Sequence, residues 1–218
     1  MKRSSVLLAA TIGFGLLYLA AGAALGTPPG VDDDARTVAA WFAAHGSNVR
    51  WWLWLLTLTG PVFAVFAALV RERLPRPHRD VFLFGAIAFG AETAVYGWFW
   101  GGLALHGATL EPSTAHTLFA VANFWGPVLT SSTVAMLAPI AVAAFQRPTD
   151  LPRWVGVVVT VAVAEQLAET VTIFGHSGFI APGGAMNNYL GAGLTGLALV
   201  VTGVVLARHS ENVVDVRP

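Results

Sequence analysis

Cysteine is absent from the 218 residues, which excludes disulfides, iron–sulfur clusters and thiol catalysis and leaves the redox compartment open. Lysine occurs once, at Lys2, so no lysine lies inside a hydrophobic stretch to form a retinal-type Schiff base. Charge of either sign is scarce: 11% of residues are charged, against roughly 25% in ordinary soluble domains. Formal net charge is zero and no basic run exceeds a few residues, so nucleic acid is not an expected partner. No nucleophile-elbow, phosphate-loop or dinucleotide-binding motif occurs, and no cofactor is implied.

What is present is apolar. Hydrophobic residues make up 56% of the chain and the mean hydropathy is +0.66. A spanning helix takes about 20 predominantly apolar residues. Six such stretches stand between charges or Pro/Gly punctuation: 5–25, 51–70, 81–105, 116–145, 154–175 and 188–207. The expected fold is therefore all-α, a single transmembrane domain formed as a six-helix bundle. Its membrane is expected to be the bacterial cytoplasmic (inner) membrane, and lipid its constant partner.

Orientation follows from the basic residues, which gather on cytoplasmic loops. With the N-terminus inside, the cytoplasmic segments hold Lys2, Arg3, Arg71, Arg73, Arg76, Arg79, Arg147, Arg153, Arg208 and Arg217. The outer segments hold Arg36 and Arg50 alone. This bias predicts both termini in the cytoplasm. Lys2, Arg3 and the small residues Ala21-Gly22-Ala23 also resemble a signal peptide, but the apolar stretch exceeds the usual 7–15 residues of one, so the helix is expected to be retained. Between the first two spans, Val31 to His45 reads as a short amphipathic helix on the outer surface, with Asp32, Asp33 and Asp34 capping its start rather than binding metal.

Two stretches echo each other at an offset of 77 positions. Leu74-Pro75-Arg76 matches Leu151-Pro152-Arg153, Ala91-Glu92-Thr93 matches Ala168-Glu169-Thr170, and Gly101 matches Gly178. A duplication would place Glu92 and Glu169 at equal depth on related helices.

An ionisable side chain near the centre of a spanning helix costs about 2.5–3.5 kcal/mol on insertion scales, which makes Glu92, Glu165 and Glu169 the most informative residues of the chain. Read as a continuous helix, Glu165, Glu169, Thr172 and His176 fall on one face. Tyr96 follows Glu92 by one turn with Trp98 and Trp100 beyond it, His116, Asn123 and Thr130 stripe the fourth span with Trp125, and Asn187, Asn188 and Tyr189 open the sixth. Lipid would penalise these polar stripes, so they are expected to face inward around one aromatic-rimmed cavity. Three carboxyl groups in one such site would not all ionise, so at least one holds a proton.

A neutral carboxylic acid beside aromatic faces can protonate an olefin or epoxide and leave the rings to steady a cation. This points to an apolar small-molecule ligand and to isomerisation or cyclisation, with Glu169 as proton donor, Glu165 tuning it and Glu92 assisting. Tyr96, Trp98, Trp100, Asn123, Trp125, Thr172, His176, Asn188 and Tyr189 are expected to bind the ligand. The same carboxyl groups could carry a proton in a transporter, alone or with a partner subunit or a second copy. In a plain accessory subunit they would only cross-link helices. His106, His116 and His176 lack zinc-ligand spacing, so no metal is expected. Gly126-Pro127 and Pro139 are expected to kink the fourth span, with Ser131, Ser132 and Thr133 bonding the carbonyls so freed.

Gly15-Leu16-Leu17-Tyr18-Leu19 in the first helix, Ala43-Ala44-His45 ending the outer segment and Leu151-Pro152-Arg153-Trp154-Val155-Gly156 opening the fifth helix together resemble a group of uncharacterised six-helix bacterial membrane proteins. That resemblance covers most of the chain and implies the layout without an activity. A fainter likeness, resting on Glu92 to Gly97, is to membrane-embedded terpene cyclases and sterol isomerases, and it implies acidic residues in an aromatic cavity.

Overall fold

A computed structural model describes residues 3–146 and 149–214, with side chains to 209. Lys2, Arg147 and Arg217, counted above for orientation, lie outside the described residues. Seven α-helices follow in chain order: α1 Arg3–Leu25, α2 Ala35–Arg71, α3 His78–His106, α4 Pro112–Asn123, α5 Trp125–Phe145, α6 Arg153–Glu169 and α7 Ala192–Val214. No strand occurs among the described residues. With α4 and α5 taken as one broken rod, six helices are long and apolar enough to cross a membrane. They close into a ring in chain order, α1–α2–α3–α5–α6–α7 and back to α1, with α4 packed over α2 and α3.

Three expectations about local structure need correction. The outer segment is not a separate surface helix. From Ala35 it runs without a break through the second span to Arg71, so the rod of 37 residues is roughly 55 Å long. Asp34 does cap it, its carboxylate accepting from the backbone N–H of Arg36 and Thr37 and from the Thr37 hydroxyl. The fourth span breaks at Phe124, just ahead of Gly126-Pro127, while Pro139 sits inside an unbroken α5. A proline at position i removes the bond to the carbonyl of i−4, so the carbonyls freed are those of Asn123 and Ala135. Ser131 and Ser132 instead bond Val128 O and Leu129 O, and Thr133 also bonds Leu129 O. The fifth span leaves the α conformation after Glu169, passes through a 3₁₀ stretch at Thr170–Phe174, and the chain then folds back on itself before a π-helical turn at Met186–Gly191 starts the sixth span.

Without a hydrophobic drive between helices in lipid, close packing relies on small residues that let backbones approach. At Gly85 on α3, a Cβ would stand 2.3 Å from Met136 N of α5. Gly203 on α7 likewise admits Thr11 of α1, whose Oγ1 would be 2.2 Å from a Cβ there.

Two cores result. At the end holding Arg3, Arg71 and Arg153, the rings of Phe14, Phe63 and Phe66 stack on one another above Leu7, Val70, Phe82, Met136 and Ile140. At the other end, Trp100, fully buried, gathers Trp41, Phe42, Trp52, Tyr96 and Phe119 around it. Arg3–Glu72 at 2.9 Å, Arg71–Asp80 at 3.0 Å and Arg73–Asp150 at 3.8 Å tie the loops of the first end. Such exposed pairs add little stability, with a median of about 0–1 kcal/mol.

Candidate functional site

Between the two cores lies a cavity of about 1030 Å³. Its wall is made by α1, α2, α3, α5 and α7, with Gln166 and Glu169 reaching it from α6. Most of the lining is apolar, and its carboxyl and amide groups, Glu169, Gln166, Asn187 and Asn188, stand together where α6 meets the start of the sixth span.

Glu169 is the last residue of α6 and is 3% exposed. Its Oε1 accepts from Asn187 Nδ2 at 2.5 Å and its Oε2 from Gln166 Nε2 at 2.7 Å. Gln166 Nε2 also donates to Glu165 Oε2 at 3.0 Å, so one amide joins two carboxyl groups. The other oxygen of Glu165 is buried without a partner. No Arg, Lys or His bonds either carboxyl group among the described residues.

The asparagine that faces Glu169 is itself fixed. Asn187 Oδ1 accepts the Gly183 N–H at 2.9 Å, and Asn188 Nδ2 donates to Gly183 O at 2.5 Å, so the two side chains grip both ends of one residue. This assigns the Asn187 amide orientation, since the oxygen must face a backbone donor. Gly183 has φ +69°, a left-handed conformation suited to glycine, and a Cβ there would lie 2.0 Å from Asn123 Oδ1. Gly191 completes the enclosure: a Cβ on it would fall 1.9 Å from Glu169 Oε2. The carboxyl group thus fits into the space left by an absent side chain on the π turn. Single π turns inside α-helices recur at functional sites.

The remaining candidates divide. Tyr96, Trp98, Trp125, Asn188 and Tyr189 line the cavity, Tyr96 and Trp125 stacked at 4.5 Å and Trp98 and Tyr189 largely exposed at its margins. Trp100 is enclosed in the aromatic core and does not reach the cavity. Asn123 is buried, donates to Phe119 O at 2.8 Å and buttresses Gly183. Thr172 is buried beside Glu169, its hydroxyl donating to the Glu169 carbonyl at 2.8 Å and accepting from Asn187 Nδ2 at 3.4 Å, and His176 is exposed beyond the 3₁₀ stretch. Glu92 does not join the other two carboxyl groups. It is half-buried at the seam of α3 and α5, accepting from Ser132 Oγ at 2.6 Å.

Two residues outside the sequence-based stripes, Gln166 and Tyr18, belong to this site, and Asn187, expected only to face inward, has a definite part in it. Gln166 and Asn187 hold the carboxyl group, and Tyr18 lines the cavity within electrostatic reach of Glu169. Tyr18 had a visible signal, as the one tyrosine in a mostly apolar first span.

The helices and their apolarity define the class, a multi-pass all-helical membrane protein. No protein-family model, curated protein or solved structure matches the chain.

Proposed function

We propose that this protein binds an apolar small molecule in its intramembrane cavity and acts on it by acid–base chemistry, an isomerisation or cyclisation. The observation that carries the reading is a carboxyl group sealed into the wall of a mostly apolar cavity, held by two oriented amides and paired with a second carboxyl group through one of them. Glu169 is the proton donor and Glu165 the positioning group that shares its proton. Tyr96 and Trp125 present ring faces that steady positive charge developing on the substrate. Glu92 serves the bundle as a bond acceptor for Ser132. The basic end of the ring faces the cytoplasm, with the N- and C-termini on that side and the protein in the bacterial inner membrane, in keeping with the loop charges.

Purification in mild detergent, organic extraction and mass spectrometry test the binding claim. Wild type and Glu169→Gln should carry the same apolar compound, and only wild type should convert it. A preparation with no co-purifying lipophile, from native membranes and after reconstitution alike, contradicts the proposal. A second reading, proton-linked transport, draws on the unpartnered oxygen of Glu165, which would extend a relay from Glu169. It predicts instead that Glu169→Gln abolishes uptake driven by a pH gradient in vesicles.

A further inference from the structure

Aromatic rings stand toward both ends of the cavity, and the outer end keeps an opening on its α1 side. Toward the basic end stand the stacked rings of Phe14, Phe63 and Phe66, and toward the other the aromatic core around Trp100. Its open margins lie along the sides of the bundle. At the seam between α2 and α3, Leu53 closes against Gly97 and Gly101, with 3.1 Å from its methyl groups to a Cβ at either position. Two turns nearer the basic end, between that closure and the ring contact of Phe63 with Phe89 at 5.6 Å, the seam of the same two helices is lined by glycine. Gly60 and Gly90 both line the cavity, both are exposed, and a Cβ on either would meet nothing within 4 Å. Thr57 and Ala94 flank them, also exposed and also lining the cavity. No charged residue borders the gap.

Depth decides what this gap faces. Gly60 is 11 residues from Arg71 and Gly90 is 12 from His78, which at 1.5 Å per residue is roughly 16–18 Å. That is the middle of a hydrocarbon layer about 30 Å thick. A second opening, beside Gly22 on α1, lies 19 residues from Arg3, roughly 28 Å. It adjoins Asn188 and Tyr189 and so belongs to the outer interface, where water reaches.

We infer that the cavity is loaded sideways from the lipid hydrocarbon, through a window between α2 and α3 at Gly60 and Gly90. The inference rests on the proposed function and narrows its substrate class. A molecule that passes a glycine-edged gap at mid-depth carries no phosphate, sugar or fixed charge, because each would have to leave water to reach it. The ligand is an uncharged, lipid-dissolved compound such as a hydrocarbon, or an alcohol or ketone with a long apolar body.

The absence of cysteine allows a direct test without knowing the ligand. Thr93→Cys places one thiol on the inner face of α3, in the cavity lining and outside the Glu169 cluster. In proteoliposomes, N-(1-pyrenyl)maleimide, which dissolves in lipid, should label it much faster than negatively charged sulfonatoethyl methanethiosulfonate, which does not. Adding Gly60→Leu and Gly90→Leu should slow the pyrenyl label by about tenfold or more, equivalent to about 1.4 kcal/mol of barrier. Gly22→Leu should leave it unchanged. Gly90→Phe alone gives the same readout if the double variant fails to fold. Equal labelling by the charged reagent, slowing by Gly22→Leu rather than by the window variants, or no labelling at all overturns the inference. These rates do not involve Glu169, so a silent Glu169→Gln phenotype with window-dependent labelling would remove the proposed chemistry and leave the route standing.

Discussion

The contact between Glu169 and Asn187 can be tested by exchanging its polarity. Glu169 offers two acceptor oxygens, and both meet amide donors, from Asn187 and Gln166. Asn187 cannot turn its oxygen toward Glu169, because Gly183 N–H already occupies it. Glu169→Gln therefore sets a donor against the Asn187 donor and leaves one buried amide unsatisfied, at a cost of about 1–3 kcal/mol. Asn187→Asp sets an acceptor against an acceptor and should cost as much, while keeping the bond to Gly183. In the double variant the new amide donates to the new carboxylate, and Gln166 still finds an oxygen on its other side. The two single losses should then fail to add, with a coupling energy of about 1–3 kcal/mol in favour of the pair. Unfolding of the detergent-solubilised protein in graded denaturant, followed by tryptophan fluorescence, supplies the four stabilities of the cycle. Additivity within about 0.5 kcal/mol would mean that the two side chains do not hold each other, and the site as described would be wrong.

Other outcomes follow from the same geometry. Gly191→Ala drives a methyl group into Glu169 Oε2 and should destabilise by about 1–3 kcal/mol, whereas Gly193→Ala, which meets nothing within 4 Å, should be neutral in the same denaturation assay. Gly85→Leu should prevent α3 from seating on α5 and reduce the yield of monodisperse protein on size-exclusion chromatography, with Gly102→Leu, at an open position, as the control. Asp34 and Glu111 cap α2 and α4 from outside the spans, and hydrogen bonds, chiefly from the Thr37 and Ser113 hydroxyls, hold both carboxyl groups below their ordinary values. A depressed carboxyl contributes stability that is present above its unfolded value and lost as pH falls through the folded one. The first turns of α2 and α4 should therefore hold at neutral pH and fray as the pH falls below the ordinary carboxyl range, about pH 4, visible as faster hydrogen exchange after correction for intrinsic rates, and Asp34→Asn should remove the effect at α2.

The six spans were legible because apolar length is written directly in composition, and lipid leaves few alternatives to a helix. Their irregular parts were not. Placing Thr172 and His176 on one stripe with Glu165 and Glu169 assumed that α6 keeps 100° per residue, but the chain tightens to a 3₁₀ stretch at Thr170. Residues i and i+3 eclipse in a 3₁₀ turn, so Thr172 stays in line with Glu169 and accepts from the same Asn187 Nδ2 at 3.4 Å, while His176 beyond the stretch is exposed. Gln166 lies in the regular part of α6, three residues before Glu169 and so its neighbour on the helix surface, but a stripe drawn through Glu165, Glu169 and Thr172 passes it by. Asn187 was visible as one of an asparagine pair, yet only the turn through Gly183 decides which of the two meets Glu169. The Leu-Pro-Arg and Ala-Glu-Thr echo led to unlike surroundings. Glu92 sits inside a helix that continues to His106, and Glu169 ends its own.

The π turn at Met186–Gly191 accommodates one residue more than an α-helical path of the same rise, so it sets a phase difference between the two ends of the sixth span. Beyond it, α7 presents Gly203 to α1; at its start, Asn187 points at Glu169 of α6. Deleting a single residue within the turn would leave the span apolar and long enough, yet turn one end by about 100° against the other. The helix could then satisfy its neighbour α1 or the carboxyl group, but not both together. Lineages carrying this bundle without that extra residue should have relinquished the acid at position 169 as well.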